Sequence, residues 1–502
     1  MRSKKAIYNI LTNLLLQIVI VIYGFIVPKI IIDNFGSDVN GLVSSITQFL
    51  AYITLLESGF GPVVKSALYK PIANKSKDTI ENILRTSEKF FRTIAYVFLI
   101  YILFLCIFYP LIVSNSFSYI YTISLILIIA LSTFAEYFFG MTYRLYLQAD
   151  QKNYIISTIQ IVTYVISIAL IILFAMLGTN IQIIKLVSGI VFIFRPLIQN
   201  YYVKKKYNIN LKNANSEFKL KQKWDGLAQH IAAVIHSNTD ITVLTFFVSL
   251  KEVSVYSVYY LVVKGVVSII QSFSNGIDAS FGDMIAKNEY DNLNKKFNMY
   301  EVLYFTVITI IFTCTIVLIT PFISVYTRGI TDANYIRYLF GYLLVISEYI
   351  WAIRLPYSSI TLAAGHFKET RKGAWLEAIV NIALSIALVW KYGIIGVAIG
   401  TIVAMFIRTL EFIYHTNKYI LKRNIFNTLK KFFLIILETI LIFMICRYLP
   451  YVKNSSYINW LVNALITGLV ATVVVIVINT IVYKNNMKQF LNIIRFNLKR
   501  SK

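Results

Sequence analysis

The sequence is poor in charged residues, and acidic residues are especially scarce. Only 14% of its 502 residues are Asp, Glu, Lys or Arg, against roughly 25% in an average soluble protein. The hydrophobic fraction is 58%, and apolar runs of about 20 residues, long enough to cross a bilayer as a helix, recur along the whole chain. This composition excludes a soluble globular protein and predicts an all-α, polytopic membrane protein.

Motifs for catalysis and for cofactor binding are missing. The four histidines form no HExxH pair, and the sequence contains neither a Walker A loop nor a GxGxxG turn. The three cysteines, Cys106, Cys314 and Cys446, lie inside apolar runs, where core packing is a more common role than a disulfide or a metal site. We expect no catalytic residue, no metal and no cofactor, and therefore no direct use of ATP.

Basic residues outnumber acidic residues by 48 to 23, which gives a formal net charge of +25. They concentrate in the N-terminal tail, in the connections that follow even-numbered apolar spans, and in the C-terminal tail. By the positive-inside rule, both termini are cytoplasmic. The excess charge therefore indicates orientation and attraction to anionic membrane lipids, and we expect no binding of nucleic acid.

Polar landmarks of the first half of the chain recur in the second half at a nearly constant offset. Because one copy contains six spans, an even number, both copies have the same orientation, which defines a parallel repeat. We predict 14 transmembrane helices, arranged as two parallel six-helix repeats plus two C-terminal helices. The matched landmarks are Pro110 with Pro321, Glu136-Tyr137 with Glu348-Tyr349, Leu147-x-Ala149 with Leu362-x-Ala364, and Arg195 with Arg408.

The repeat predicts the domain organisation. The N-lobe (helices 1–6) occupies residues 1–203, and the C-lobe (helices 7–12) occupies 226–416. A Lys- and Asn-rich cytoplasmic linker, 204–225, joins the two lobes. Helices 13 and 14 lie within 417–486. The tail 487–502 interleaves apolar and basic residues, a pattern that predicts an amphipathic helix on the membrane surface.

Four charged residues inside the spans recur at the offset of the repeat. They are Glu136 and Glu348 on spans 4 and 10, and Arg195 and Arg408 on spans 6 and 12. A charge at the bilayer centre costs about 2.5–3.5 kcal/mol on the translocon scale, so each one needs a partner or a function. We interpret them as structural, with one Glu–Arg ion pair inside each lobe. Direct contact with a substrate is the alternative.

Other charged residues have no counterpart at the offset of the repeat and are better candidates for function. Lys264 lies near the middle of span 8, whereas the corresponding part of span 2 is apolar. We predict that Lys264 binds an anion; a snorkelling side chain and a structural ion pair are the alternatives. Glu57 on span 2 is either the partner of Lys264 or a ligand itself.

Further polar residues concentrate on the opening pair of spans in each lobe, which predicts a substrate cavity lined by those spans. On span 7, His236 and Asp240 lie one helical turn apart on the same face. They are candidates for binding a coupling ion or proton, with an internal hydrogen-bond network as the alternative. The other predicted cavity residues are Asn13 and Gln17 on span 1, and Asn275 and Asp278 at the end of span 8.

Fourteen spans in a 6+6+2 arrangement, cytoplasmic termini and a Lys-rich central linker resemble the multidrug/oligosaccharidyl-lipid/polysaccharide exporter superfamily. Within it, the chain looks most like the Wzx-type polysaccharide flippases. Short motifs around the first two spans carry this resemblance. They are Asn13 in span 1, Phe35-Gly36 and Asn40-Gly41-Leu42 at the start of span 2, and Leu56-Glu57-Ser58-Gly59-Phe60-Gly61 at its exit.

The resemblance implies two lobes that open alternately to each side of the bacterial cytoplasmic membrane. The implied substrate is an undecaprenyl-pyrophosphate-linked oligosaccharide, which is flipped from the inner to the outer leaflet for surface polysaccharide export. A cationic cavity suits its pyrophosphate, which is the role implied for Lys264. Polysaccharide polymerase and export proteins are implied partners, and we expect a monomer.

Four alternatives remain. A drug/cation antiporter of the same superfamily usually has twelve spans, which argues against it. The related lipid II flippases use several arginines on spans 1, 2 and 8, and this chain has none there. A polymerase or lipid-linked glycosyltransferase needs a long external loop or a metal-binding carboxylate motif, and we find neither. A scaffold for glycan synthesis is the last alternative.

Overall fold

The computed structural model describes residues 2–57, 59–211, 227–274, 278–452 and 456–489. Within these ranges the chain is almost entirely helical and contains no strand. Twelve of the described helices are long and apolar enough to cross a membrane. The predicted all-α, multi-pass character is therefore confirmed.

Eighteen α-helices and two π-helical segments make up the described fold. The π-helical segments are Glu136–Gly140 and Thr416–Ile420. The α-helices are α1 Arg2–Phe35, α2 Ser37–Ala51, α3 Thr54–Glu57, α4 Phe60–Asn74, α5 Lys77–Ile112, α6 Tyr119–Ala135, α7 Met141–Ala149, α8 Asn153–Met176, α9 Ile181–Tyr207, α10 Leu227–Phe247, α11 Leu250–Ser274, α12 Asp278–Ala286, α13 Tyr290–Tyr326, α14 Tyr338–Ala363, α15 Arg371–Tyr392, α16 Ile394–His415, α17 Phe426–Arg447 and α18 Tyr457–Val482.

Two of the 14 predicted spans, α10 and α17, are helices of 21 and 22 residues that are not among these twelve. At 1.5 Å per residue, each is about 30 Å long, the thickness of a bilayer core. Charged residues interrupt α17 at Lys430, Lys431, Glu438 and Arg447. The count of 14 and the six-helix repeat stay predictions.

The chain forms two compact units, Met1–Ser254 and Val255–Lys502. In the first unit, α10 packs against α2 through paired polar side chains. The hydroxyls of Ser45 and Thr245 lie 2.7 Å apart, and those of Tyr52 and Thr242 lie 3.0 Å apart. The lobe boundaries predicted from the sequence, and the linker between them, stay predictions.

The second predicted span is broken into α2, α3 and α4. The break before α4 occurs at Gly59, whose φ of +80° is a left-handed conformation that glycine adopts without steric strain. The fourth predicted span is interrupted differently, by the π-helical segment Glu136–Gly140 between α6 and α7. Single π-helical turns of this kind often occur at functional sites.

Gly140, at the end of this π-helical segment, lets α9 approach closely. A Cβ atom added at Gly140 would overlap the Cβ of Pro196 and lie 3.0 Å from its Cα. The ring of proline cannot rotate away, so Gly140→Ala should cost about 1–3 kcal/mol through overpacking. We expect a lower unfolding midpoint for the purified variant in detergent.

Gly468 on α18 provides the matched control, because a Cβ atom added there meets nothing within 4 Å. Gly468→Ala should leave the midpoint unchanged or raise it, since alanine is the better helix former. Equal midpoints for the two variants would contradict the close packing of Gly140 against α9.

Candidate functional site

A polar cavity of about 540 Å³ lies inside the first unit. Segments α3, α4, α6, α7, α8 and α9 and the first π-helical segment contribute its walls. Five charged side chains line it: Glu57, Lys65, Glu136, Arg144 and Arg195. On the predicted topology this cavity lies in the cytoplasmic half of the membrane.

Each of the two carboxylates in the cavity has a partner in its wall. The Glu136 Oε1 atom lies 3.3 Å from Nη1 of Arg144; Glu136 begins the π-helical segment, and Arg144 lies on α7, which follows it. The hydroxyl of Tyr137 donates a hydrogen bond of 3.0 Å to Oε2 of Glu57. The carboxylates are thereby held at the wall, and Glu136 offsets the charge of Arg144.

Arg195 is held in the same cavity without a carboxylate of its own. Its Nε donates to the hydroxyl of Thr163 at 2.7 Å. Its guanidinium lies 4.1 Å from the ring centre of Tyr164 and 3.9 Å from that of Phe192. The Nη2 atom is buried and has no hydrogen-bond partner among the described residues. Arg195 therefore offers an unused cationic donor.

The ion pair expected between Glu136 and Arg195 is not formed in the described part of the chain, because Glu136 pairs with Arg144. The sequence analysis missed Arg144, which lies near the end of span 4, where arginine is common at the cytoplasmic boundary. Its position two helical turns after a glutamate inside the same span is the signal that could have found it.

In the second unit, Arg408 lies in a structural ion-pair network. Its side chain is 1% exposed and contacts Glu411 and, at 3.5 Å, Glu377. Arg354 shares Glu377 at 2.7 Å. Glu348 is 9% exposed in α14, and its pairing with Arg408 stays a prediction.

Lys264 lies on α11 and is exposed. Its Nζ atom is 5.9 Å from the ring centre of Tyr260. Within its own unit, no described carboxylate lies within salt-bridge distance of it. A Cβ atom added at the neighbouring Gly265 would also meet nothing within 4 Å. This cation is open to its surroundings, as an anion site requires, and its binding role stays a prediction.

Asn13 has a structural partner. Its Oδ1 atom accepts hydrogen bonds from the Ser157 hydroxyl at 2.6 Å and from the Asn153 amide at 3.2 Å, which joins α1 to α8. Gln17 is exposed on α1, and Asp240 is buried in α10. Asn275 and the side chains of His236 and Asp278 lie outside the described residues. The substrate and coupling roles of all six residues stay predictions.

Asn13→Ala should destabilise the first unit by about 1 kcal/mol or less, the usual range for hydrogen bonds between membrane helices. Ser157→Ala should cost less, because Asn13 keeps its hydrogen bond from Asn153, and the double variant should lose no more than Asn13→Ala alone, because the bond between Asn13 and Ser157 is already gone in that variant. Unfolding midpoints of the three proteins measure this. Fully additive losses would contradict the pairing.

A second cavity in the first unit, of about 560 Å³, is almost entirely apolar. Aromatic side chains of α2, α5 and α10 dominate its walls. They are Phe49, Tyr52, Tyr101, Phe104, Phe108, Tyr109 and Phe246. Phe104, Phe108 and Phe246 are exposed. The first unit thus contains one polar and one apolar cavity.

Comparison with known proteins matches the fold alone. No family model and no curated protein matches the chain. A structure of the lipid II flippase MurJ in an inward closed conformation superposes with a TM-score of 0.68 at 18% identity, covering 96% of this chain and 100% of that one. An inward-facing multidrug resistance MATE transporter of the MOP superfamily gives 0.59 at 12% identity, covering 81% and 98%.

A variant of the Vibrio cholerae MATE transporter VcmN gives a TM-score of 0.57 at 16% identity, covering 84% of this chain and 98% of that one. At such low identities the likeness establishes the fold. The chain therefore has the helical fold shared by these membrane transporters. The fold that the sequence resemblance implies is confirmed, whereas membership of the superfamily and the Wzx type stay proposals.

Proposed function

We propose that the protein is a flippase that moves undecaprenyl-pyrophosphate-linked oligosaccharide repeat units from the inner to the outer leaflet of the bacterial cytoplasmic membrane. The products would serve surface polysaccharide export. The observation that carries this proposal is the cationic cavity of the first unit, with the unused Nη2 donor of Arg195. The guanidinium fork matches phosphate oxygens in geometry and in charge.

The charges of this cavity favour an anionic ligand. Lys65, Arg144 and Arg195 line it together with Glu57 and Glu136. Glu136 pairs with Arg144 and Glu57 accepts from Tyr137, and no carboxylate in the described part of the chain lies within salt-bridge distance of Arg195. A partly buried cation within a membrane is expensive unless an anion approaches it. A diphosphate would supply that anion.

The apolar cavity suits the other half of such a substrate. A polyprenyl chain is pure hydrocarbon, and burying it against aromatic walls stabilises binding by roughly 25 cal/mol per Å² of apolar area. The first unit therefore supports an amphiphilic substrate with an anionic head and a hydrocarbon tail. Lys264 on α11 is a further proposed contact for the head.

Two alternatives share part of this support. The MATE fold would also serve a drug/cation antiporter, but three cations and two carboxylates line the polar cavity, and this excess of positive charge disfavours cationic substrates. A lipid II flippase would use the same diphosphate-lipid chemistry, and the MurJ structure covers more of the chain than the MATE structures do. The sugar part of the substrate separates these two flippase activities.

Deleting the gene in the producing bacterium tests the proposal. We expect lipid-linked oligosaccharide to accumulate on the inner leaflet, and surface polysaccharide to disappear. Unchanged surface polysaccharide with altered drug sensitivity would instead support the antiporter. Loss of peptidoglycan synthesis would support the lipid II flippase. Polymerase and export proteins are the partners we propose, and we propose that a monomer acts.

Complementation of the deletion strain tests Lys264. Lys264→Ala should reduce surface polysaccharide about tenfold, as expected when one charged contact of about 1.4 kcal/mol is lost. Lys264→Arg keeps the positive charge and should restore most of it. Lys287→Ala is the control, because Lys287 pairs with Asp283 at an exposed position. If Lys264→Ala and Lys264→Arg both behave like wild type, Lys264 is not an anion site.

A further inference from the structure

A carboxyl group lies deep inside the second unit on α17. Glu438 is 1% exposed and lies near the middle of Phe426–Arg447, about 18 Å from the start of the helix at 1.5 Å per residue. The helix packs against α13 and α18, so this carboxyl faces protein and not lipid. The function proposed above does not use it.

Glu438 lacks the partners that other buried carboxylates in this unit have. Its Oε1 atom is buried without a hydrogen-bond partner among the described residues, and no described cation forms a salt bridge with it. Glu301, 0% exposed, instead binds Arg423 at 2.8 Å and contacts Lys431. An ionised carboxylate without a counter-ion is strongly destabilised in a buried site, so the protonated form of Glu438 is the more stable one.

A small cavity connects Glu438 to polar groups near the start of α17 and the end of α18. Its volume is about 10 Å³, and its walls include Lys431, Asn479 and Tyr483. That is roughly the size of one water molecule, and the three polar side chains could hold one there. On the predicted topology, Lys431 lies on the cytoplasmic side of Glu438. A water in this cavity would link the carboxyl to that side.

The titratable groups around Glu438 come from every helix packed near it. Lys431 lies on α17 itself, and Tyr483 follows α18. Tyr349 on α14 is nearby, and its hydroxyl donates to Thr309 at 2.9 Å. Glu301 on α13 lies beyond Lys431 and is bound by it. Lys431 is thus held by Glu301, which also binds Arg423, and among the described residues it forms no salt bridge with Glu438.

We propose that Glu438 is a proton-binding site within the membrane, and that its loading and release of one proton are coupled to transport. The carboxylate takes up a proton that the water in the small cavity relays from the cytoplasmic solution, becomes a neutral acid, and releases that proton to bulk water when this region opens. The coupling half of this proposal rests on the proposed function; proton binding itself does not. Asp240 and His236, the candidates from the sequence, lie in the first unit and are separate from it.

Labelling of the purified full-length protein tests proton binding directly. Dicyclohexylcarbodiimide adds to protonated carboxyl groups in apolar surroundings, and the peptide gains the mass of the reagent. We expect labelling at Glu438 that increases as the pH falls, measured by mass spectrometry. Glu301 is the internal control, because its salt bridges hold it ionised. Absence of label on Glu438 at every pH, or equal labelling of Glu301, would overturn the proposal.

Reconstituted vesicles test the coupling. For each proton coupled to transport, an imposed gradient of one pH unit changes the equilibrium ratio of substrate between the two leaflets by up to tenfold. Wild type should respond to that gradient, Glu438→Gln should not respond, and Glu438→Asp should recover the response. An unchanged response in Glu438→Gln would overturn the coupling. If wild type moves no lipid-linked glycan at all, the proposed function fails, while the labelling result still decides proton binding.

Discussion

Glu301→Gln is expected to destabilise the second unit by about 3–5 kcal/mol, the usual result of removing one partner from a buried ion pair. Glu301 is fully buried and accepts hydrogen bonds from Arg423 at 2.8 and 3.0 Å. It also contacts Lys431 and the hydroxyl of Tyr357. Glutamine leaves two cations in a nearly dry environment without a counter-charge. We expect loss of folded protein from membranes or a much lower unfolding midpoint.

A second substitution distinguishes two causes of the destabilisation, an uncompensated buried charge and lost packing. Lys431→Met removes one of the two cations, so Glu301→Gln combined with Lys431→Met should be more stable than Glu301→Gln alone. Glu289→Gln is the control at an exposed position just before α13, and it should change the midpoint little. A Glu301→Gln protein as stable as wild type, or a double variant less stable than the single one, would contradict the network.

Arg195→Gln is expected to weaken binding of undecaprenyl diphosphate by about 10- to 100-fold, because a hydrogen bond to a charged group contributes about 1.5–3 kcal/mol. Glutamine can still bond the hydroxyl of Thr163, so the fold of the cavity should survive. Arg195→Lys keeps the charge but loses the planar contact with Tyr164 and Phe192, and should show an intermediate loss. Binding to purified protein in nanodiscs measures the effect.

Arg85 provides the matched control for Arg195. It lies on α5, pairs with Glu88 at 3.0 Å and does not line the polar cavity. Arg85→Gln should bind the lipid as wild type does. If Arg195→Gln folds normally and binds as tightly as Arg85→Gln, the polar cavity of the first unit is not the diphosphate site.

The sequence was sufficient for the class of protein and for most helices. Composition and apolar runs predicted a multi-pass all-α membrane protein, because the bilayer imposes a strong length requirement on each span. The polar motif around Glu57 and Gly59 marked the point where span 2 breaks. The π-helical segment at Glu136 and the close packing of Gly140 against Pro196 could not be predicted, since no residue spacing in the sequence marks either feature.

The partners of buried charges were harder to predict than the charges themselves. Glu136 was correctly singled out as unusual, but its partner is Arg144 and not the repeat-matched Arg195. Glu301 joins Arg423 and Lys431 across more than a hundred residues. These three residues look like ordinary charges near span ends in the sequence. Only the packing of α13 against α17 brings two of them into one buried network.

Glu438 was visible in the sequence but was not recognised. It is an isolated acidic residue inside the apolar run Leu434–Phe443, and such a residue in a span deserves a functional explanation. The search for charged pairs matched by the repeat passed over it, because α17 lies outside the repeat. Its lack of a partner is a fact of packing that no spacing rule provides.

Leaflet-resolved translocation in vesicles containing only this protein tests the central claim most directly. Fluorescent undecaprenyl-diphosphate-linked oligosaccharide is placed in both leaflets, and a membrane-impermeant quencher reports the fraction that becomes accessible. Lipid in the inner leaflet of the vesicle is protected from this quencher until it is translocated. We predict that wild type makes this protected fraction accessible within the assay, and that Arg195→Gln does so at least tenfold more slowly. A protected fraction that stays protected with folded wild-type protein, as in protein-free vesicles, would contradict the account.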